Sequence, residues 1–372
     1  MQGKANVARA AMAMAALAAL CAAALGSAGG RSPAAGAAAR PPAPSRAFEF
    51  TYAVHIRGIK PGSRVRVWIP EAANTPSQRV RVLSITGTLP LTPRVEPVNG
   101  DHMLYAAIPR AAMGEYHATI AYRVTRYLRG EPRAGGAPPD PPSTAALQRA
   151  LEPNKLVPIT GIPAQLAAQV AGGQTGTLAK ARAIYDFVLK TMRYDKSGQG
   201  WGRGDVIYAC NAHRGNCTDF HSLFIAMARS QKIPARFEIG FAIPTNAAAG
   251  PVPGYHCWAD FYLPGRGWIP VDAAEAWLNP AERSFLFGHL DSDRVEFSRG
   301  RDLVLSPPQA GPPLNYFVYP YVEVNGKPYS GVTDRFAYSN LASSRRAIRA
   351  AGKGAGEPPQ RQSAPLPSPN RG

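Results

Sequence analysis

The sequence predicts an α+β protein: an N-terminal antiparallel β-sandwich followed by a second domain of mixed helices and strands. Two observations predict it. Apolar residues alternate with a period of two through most of residues 47–129, and from about residue 145 the spacing turns helical before a strand pair ends near residue 272.

The chain opens with Lys4 and Arg9, an Ala/Leu/Met run over 10–25 and the small residues Gly26, Ser27 and Ala28. This is the layout of a secretory signal peptide, residues 1–28, cleaved after Ala28. The run is short of the roughly 20 apolar residues of a membrane span, so cleavage is favoured over an N-terminal anchor. Cys21 follows Leu20, where a lipoprotein signal wants a small residue. The expected location is secreted or periplasmic, with no stable membrane span once the signal is removed.

Residues 29–46 are rich in Pro, Ala, Gly, Ser and Arg and form a linker. Phe48, Phe50, Tyr52, Val54 and Ile56 then alternate, as do Val65, Val67 and Ile69, then Val80 and Val82, then Tyr116 to Val124. Short alternating strands between Pro-Gly and Asn-Gly turns describe the β-sandwich of residues 47–129. A second Pro/Gly-rich linker covers 130–144. The second domain is expected over 145–335, with strand-like pieces at Phe317 to Val324 completing its edge, and a basic, Pro-rich tail over 336–372.

Within 145–335, Leu178, Ala181, Tyr185, Val188 and Met192 share one helical face, with Thr177 as candidate cap. Phe220, Leu223, Phe224, Met227 and Ala228 mark a second amphipathic helix. Asn216 is its candidate N-cap, so Cys217 stands in the first turn. The positive end of a helix dipole there lowers a thiol pKa to about 3.5–7.5 from about 8.5 and makes it a nucleophile at neutral pH. The Cys217 backbone N–H is also an unpaired donor of that turn, suited to half of an oxyanion hole.

His256 opens the strand-like run His256–Leu263, which turns at Pro264–Gly267 and resumes as Trp268–Asp272. Symmetry about a turn at 264–267 sets Asp272 opposite Ala259, three residues from His256, so direct pairing needs a bulge or a shifted loop. Cys257 is expected on the face opposite His256 and away from the chemistry.

The frames Gly215-Asn-Cys-Thr-Asp-Phe-His-Ser-Leu-Phe224, Gly254-Tyr-His-Cys-Trp-Ala-Asp-Phe-Tyr262 and Gly267-Trp-Ile-Pro-Val-Asp272 resemble the transglutaminase-like superfamily, papain-like folds with Cys, His and Asp in this order. The resemblance spans about residues 145–280 and includes the Ile-Pro-Ala-Arg segment 233–236. It implies a transglutaminase-like catalytic domain with Cys217 as nucleophile, His256 as base and Asp272 as orienter, working through a thioester from an amide. Trp201, Asn211 and His213 are the candidates for a second oxyanion donor. Trp201 corresponds to the upstream Trp of the animal relatives only in type, since the spacing does not establish equivalence.

Other readings are weaker. Cys210, His213, Cys217 and His221 have zinc-like spacing, but zinc would consume the nucleophile and His221 is accounted for as a helix residue near the cleft. A formal charge of +18 invites a nucleic-acid partner, yet no stretch interleaves stacking aromatics with a basic cluster, so attraction to an anionic envelope surface is preferred to it, with a general basic bias of composition as the equal alternative. No nucleotide or other cofactor is indicated, and calcium dependence is not carried over. Without the signal, Cys210, Cys217 and Cys257 leave an odd count in an oxidising compartment, and a Cys210–Cys257 disulfide stays open.

The expected activity is attack on an amide of a protein or peptide, of the cell envelope or elsewhere. Hydrolysis is preferred over transfer to an amine, because nothing in the motifs excludes water. The alternative is a non-catalytic module that holds an envelope peptide in the same cleft.

Overall fold

A computed structural model describes residues 45–130 and 142–341. The signal segment 1–28, the first linker apart from Ser45 and Arg46, most of the second linker and the tail beyond Leu341 lie outside the described residues.

Six strands come first: β1 (Ser45–Ile56), β2 (Val65–Pro70), β3 (Gln78–Gly87), β4 (Thr92–Val95), β5 (His102–Ile108) and β6 (Tyr116–Tyr127). Their alternation buries one face, so that Phe48, Phe50, Tyr52, Val54 and Ile56 of β1 are all buried. Then follow α1 (Thr144–Arg149), α2 (Ile162–Ala171), α3 (Thr177–Thr191), β7 (Arg193–Tyr194), α4 (Val206–Ala212), β8 (Arg214–Gly215) and α5 (Cys217–Ser230). The chain continues through β9 (Ala235–Ala242), β10 (Ala249–Pro251), β11 (Tyr255–Leu263), β12 (Gly267–Val271), α6 (Ala273–Leu278) and β13 (Arg294–Arg299). It ends in β14 (Tyr321–Val324), β15 (Lys327–Pro328) and β16 (Val332–Asn340).

The strands form two five-stranded sheets, ordered β10-β16-β1-β6-β3 and β15-β14-β2-β5-β4, a parallel pair β7-β8, and a four-stranded sheet ordered β12-β11-β9-β13. Helix α5 packs on the last of these, with Phe224 and Phe261 rings 6.3 Å apart. Every residue of α5 except Ser230 is buried. An apolar stripe is enough for a surface helix; a helix buried all round is the central element of its domain.

Three expectations need correction. Tyr321–Val324 does not complete the edge of the second domain; it pairs with β2, Tyr321 facing Trp68 and Val324 facing Val65. The strand serves whichever sheet offers an unpaired edge, and β2 offered one opposite β5. The tail does not begin at residue 336, because Phe336 and Tyr338 are buried and β16 pairs with β1 as far as Asn340 facing Phe48. Thr177 does not cap α3: Gly176, at φ 82°, occupies the cap without a side-chain bond and Thr177 is the first helical residue.

The β-sandwich and the α5 region share one apolar core. Phe50 and Tyr52 of β1, Phe241 of β9, Phe297 of β13 and Phe336 of β16 stack against one another, with Phe241 and Phe336 centroids 4.4 Å apart. A polar strap adds to it. Arg129, just after β6, donates to Glu238 Oε2 at 2.8 Å and Asp260 Oδ2 at 2.6 Å, and Trp258 Nε1 donates to Glu238 Oε2 at 2.6 Å. These bonds grip β9 and β11 on the face that also carries His256.

Candidate active site

The start of α5 is built around Asp219. Asn216 caps the helix through Oδ1, which accepts from Thr218 N at 2.9 Å. Asp219 reaches back to Asn216 N at 2.9 Å, closing a capping box. The same carboxylate accepts from Gly202 N at 2.6 Å and Gly204 N at 2.9 Å, tying the Gly-rich 198–204 loop to the first turn. Burial pushes Asp219 up to about 6, against the three N–H donors that pull it down. Gly215 must be glycine here, since a Cβ would lie 2.2 Å from Asp219 Oδ2. Cys217 therefore sits at a fixed N1 position, 2 % exposed.

The hairpin brings the other two residues. Arg266 N donates to Leu263 O at 2.9 Å, and Gly267 pairs with Leu263. The loop is thus three residues long, and Ala259 faces Val271. Asp272 follows in register with Trp258, two residues from His256 rather than the three expected. β12 stops at Val271, so β11 has an open edge beside His256, and no bulge is needed. His256 Nε2 lies 2.7 Å from Asp272 Oδ2.

Three groups that sequence reasoning left aside complete the site. Arg294 of β13, buried, donates through Nη1 to Asp272 Oδ2 at 2.9 Å and through Nη2 to Asp291. His221, one turn after Cys217, accepts from Ala273 N at 3.0 Å through Nε2. Tyr255 Oη accepts from Asn216 Nδ2 at 2.7 Å and stands 2.8 Å from Thr218 Oγ1. Asp219 was legible from the Asn-x-x-Asp spacing of a capping box. Arg294 carried no local signal, since its partner lies 22 residues upstream.

Cys257 also corrects an expectation. It does lie on the face opposite His256, with Tyr255, but that face packs on α5, so its Sγ is 3.6 Å from His221 Nδ1 and donates to Thr218 Oγ1 at 3.9 Å. All three described cysteines are free thiols.

Electrostatics sort these groups. Burial alone would raise the Cys217 thiol, but hydrogen bonds from Cys257 and His256 and the charge of His256 hold it well below its ordinary value. Burial disfavours a charged His256, yet the Asp272 carboxylate and Cys217 hold it well above its ordinary value. Asp272 is buried too, and the charge of His256, its hydrogen bond and the charge of Arg294 keep it well below the usual carboxylate range.

The oxyanion candidates fare differently. Trp201 is half-buried and its indole N–H donates to Gly198 O at 3.2 Å. Asn211 and His213 are exposed at the end of α4, where His213 is the left-handed C-cap at φ 52°. Among the described residues no hydrogen bond brings any of the three to Cys217. Nor does any group of three or more His, Cys, Asp or Glu there have the placement to hold a metal ion, the Cys210/His213/Cys217/His221 set included. No described helix is long and apolar enough to cross a membrane.

Comparison with known proteins agrees with this geometry. Residues 164–273 match the transglutaminase-like superfamily. An uncharacterised protein of Haemophilus influenzae is 29 % identical over 323 residues, covering 76 % of this chain and 86 % of that protein. The uncharacterised protein YebA of Bacillus subtilis is 30 % identical over 77 residues, 18 % of this chain and 10 % of its own length. Among solved structures, a "Putative Cysteine Protease" from Cytophaga hutchinsonii superposes with a TM-score of 0.55 at 17 % identity, over 80 % of this chain and 91 % of that one. It shares the fold. With Cys217, His256 and Asp272 all inside the matched segment, residues 164–273 of this chain are a member of the transglutaminase-like superfamily.

Proposed function

We propose that the protein is a cysteine enzyme that cleaves amide bonds of proteins or peptides through a Cys217 thioester. The observation that carries this reading is the 2.7 Å contact of His256 Nε2 with Asp272 Oδ2, in a protein whose Cys217 thiol stands on a helix first turn and has its pKa lowered by the charge of His256. In the first step the thiolate attacks the carbonyl carbon and the electron pair moves to oxygen. Collapse of that tetrahedral adduct expels the amine, which takes its proton from the His256 imidazolium. His256, now neutral, accepts a proton from water as the water oxygen attacks the thioester. The acid leaves, and Cys217 departs as a thiolate beside a renewed imidazolium. Asp272 fixes the ring and balances its charge throughout, with Arg294 holding the carboxylate.

Water is the preferred acceptor because it needs no binding site of its own, while an amine does. The signal-like N-terminus supports a substrate of the cell envelope, met outside the cytoplasm.

The test is site-resolved iodoacetamide labelling of Cys217 against pH, in the wild type and in His256→Ala, followed by a screen of envelope peptides for acid release and amine incorporation. Labelling that persists below pH 7 and weakens in the variant supports the activated pair. Slow labelling with a midpoint near 8.5 in both proteins sinks it and favours a module that only holds peptide. Amine incorporation that outpaces hydrolysis reassigns the acceptor.

A further inference from the structure

The residues beside Cys217, His256 and Asp272 are joined to one another by a directed run of hydrogen bonds, and His221 stands near its start. Ala273 is the first residue of α6, so its N–H has no partner inside the helix, and it donates to His221 Nε2 at 3.0 Å. A ring nitrogen that accepts carries no proton, so the ring proton sits on Nδ1. Asp272 Oδ1 is 3.5 Å from the same Nε2, the longer contact, and accepts from Glu275 N at 3.0 Å. His221 Nδ1–H then faces Cys257 Sγ at 3.6 Å. Cys257 donates its S–H to Thr218 Oγ1 at 3.9 Å. Thr218, having accepted, directs its own O–H to Tyr255 Oη at 2.8 Å, and Tyr255 donates to Gly202 O at 3.4 Å. Asn216 Nδ2 donates to the same Tyr255 oxygen at 2.7 Å.

The membership of this run is specific. Asn216 and Thr218 flank Cys217, Tyr255 and Cys257 flank His256, and Ala273 follows Asp272. We propose that His221 is a positioning residue for the triad, which in its Nδ1–H form latches the helix carrying Cys217 to the peptide carrying Asp272. The inference rests on the thiol-enzyme reading above. A latch is needed at this point because β12 ends at Val271, and Asp272 stands past the last sheet pairing. Its own N–H goes to Leu286 O at 3.0 Å, and the Ala273 N–H is the next backbone tie. Among the described residues, His221 is the one α5 side chain that hydrogen-bonds this junction, and it is fully buried, so water does not compete for the bond.

The titratable groups that face His221 are Cys257 from β11, Asp272 at the head of α6 and Cys217 on its own helix. Asp272 gives its other oxygen to His256 and Arg294. Without the latch the buried Ala273 amide is unpaired and the 272–273 peptide is free to turn. Asp272 then holds His256 less firmly, and the His256 charge that Cys217 feels weakens. His221→Gln keeps an acceptor near the Nε2 position, while His221→Leu fills much of the space without one.

Two measurements on the full-length protein test this. Proton–nitrogen correlation NMR of the histidine rings at neutral pH reads which nitrogen of His221 carries the proton. Nδ1 is expected, and a proton on Nε2 overturns the inference. This reading is made on the wild type, so it decides even if His221→Leu fails to fold. The pH midpoint of Cys217 labelling by iodoacetamide is then compared in the wild type, His221→Leu and His221→Gln, each checked for folding by circular dichroism. His221→Leu raises the midpoint by about one pH unit, and His221→Gln restores most of the wild-type value. A rise that His221→Gln does not reverse assigns the effect to lost packing and overturns the inference. A wild-type midpoint well below 8.5 that does not move in His221→Leu also overturns it and leaves the thiol-enzyme reading intact. A wild-type midpoint near 8.5 overturns both.

Discussion

Arg294 and His256 share one oxygen: Arg294 Nη1 donates to Asp272 Oδ2 at 2.9 Å, and His256 Nε2 lies 2.7 Å from the same atom. Asp272 therefore keeps a cationic partner even when the imidazole is neutral. On the proposed function Arg294 positions Asp272, and Arg294→Gln is expected to lower kcat/KM by about 10- to 100-fold with KM little changed. Arg294→Lys should rescue only part of the loss, because an ammonium cannot bridge Asp272 and Asp291 as a guanidinium does. Steady-state kinetics on the identified peptide, with the pH profile of each variant, checks this. A purely structural role would shift Tm and leave the profile of the folded fraction unchanged.

The lowered Cys217 thiol and the raised His256 imidazole set a pH window. The folded Cys217 pKa lies below its unfolded value of about 8.5, so its contribution to stability is present above 8.5 and is lost as pH falls through the folded value. The folded His256 pKa lies above its unfolded value of about 6.5, so its contribution is full below 6.5 and is lost as pH rises through the folded value. The pair is complete between the two folded values, and a bell-shaped kcat/KM should follow them. In Asp272→Asn the alkaline limb moves to lower pH, which a pH–rate series or NMR titration of His256 reads directly.

Asp272 itself contributes at the acid end. Its folded pKa is depressed, so the stabilisation is present above the unfolded value of about 3.9 and is lost as pH falls through the folded one. Thermal scans from pH 6 to pH 2 should show a decline in Tm that is shallower in Asp272→Asn than in the wild type.

Gly215→Ala is expected to destabilise by roughly 2–3 kcal/mol, because its Cβ would stand 2.2 Å from Asp219 Oδ2 and break the carboxylate away from the Gly202 and Gly204 amides. Urea unfolding measures the cost. A Gly215→Ala protein as stable as the wild type would contradict the role given to Asp219.

Tyr255→Phe removes the hydroxyl that receives Asn216 Nδ2 and faces Thr218, leaving a buried amide donor unpaired. The expected loss is about 1–3 kcal/mol of stability. Peptide turnover should also fall, since Asn216 caps the helix that presents Cys217. Tm and kcat measured together test the coupling.

The sequence announces the parts of this site whose signals are local. A helix start with Asn216 before Cys217, and a Gly-rich turn between two aromatic runs, are each readable within ten residues, and both formed where expected. The turn length was misjudged by one residue, which changed the register of Asp272, since pairing depends on whether Gly267 belongs to the loop or the strand. Period two also misled about Cys257: alternation tells which face a side chain takes, and only tertiary packing tells what lies against that face. Arg294, β14 and β16 were out of reach for another reason. Their partners are tens to hundreds of residues away, and a short apolar strand carries no mark of the sheet edge it will join.

The pairing of β1 with β16 has a consequence for the order of events. Phe48 faces Asn340, so the central sheet cannot close until the ribosome has made nearly the whole described chain, with the thiol segment enclosed between its first and last strands. Phe336 also lines the core that Phe241 shares, and Tyr319, ahead of β14, packs between Tyr255 and Phe336. A nascent or C-terminally clipped chain thus has Cys217 in sequence but not in its finished surroundings. The arrangement acts as a completeness check: the Cys217 sulfur acquires its full setting only when the final strand is in place.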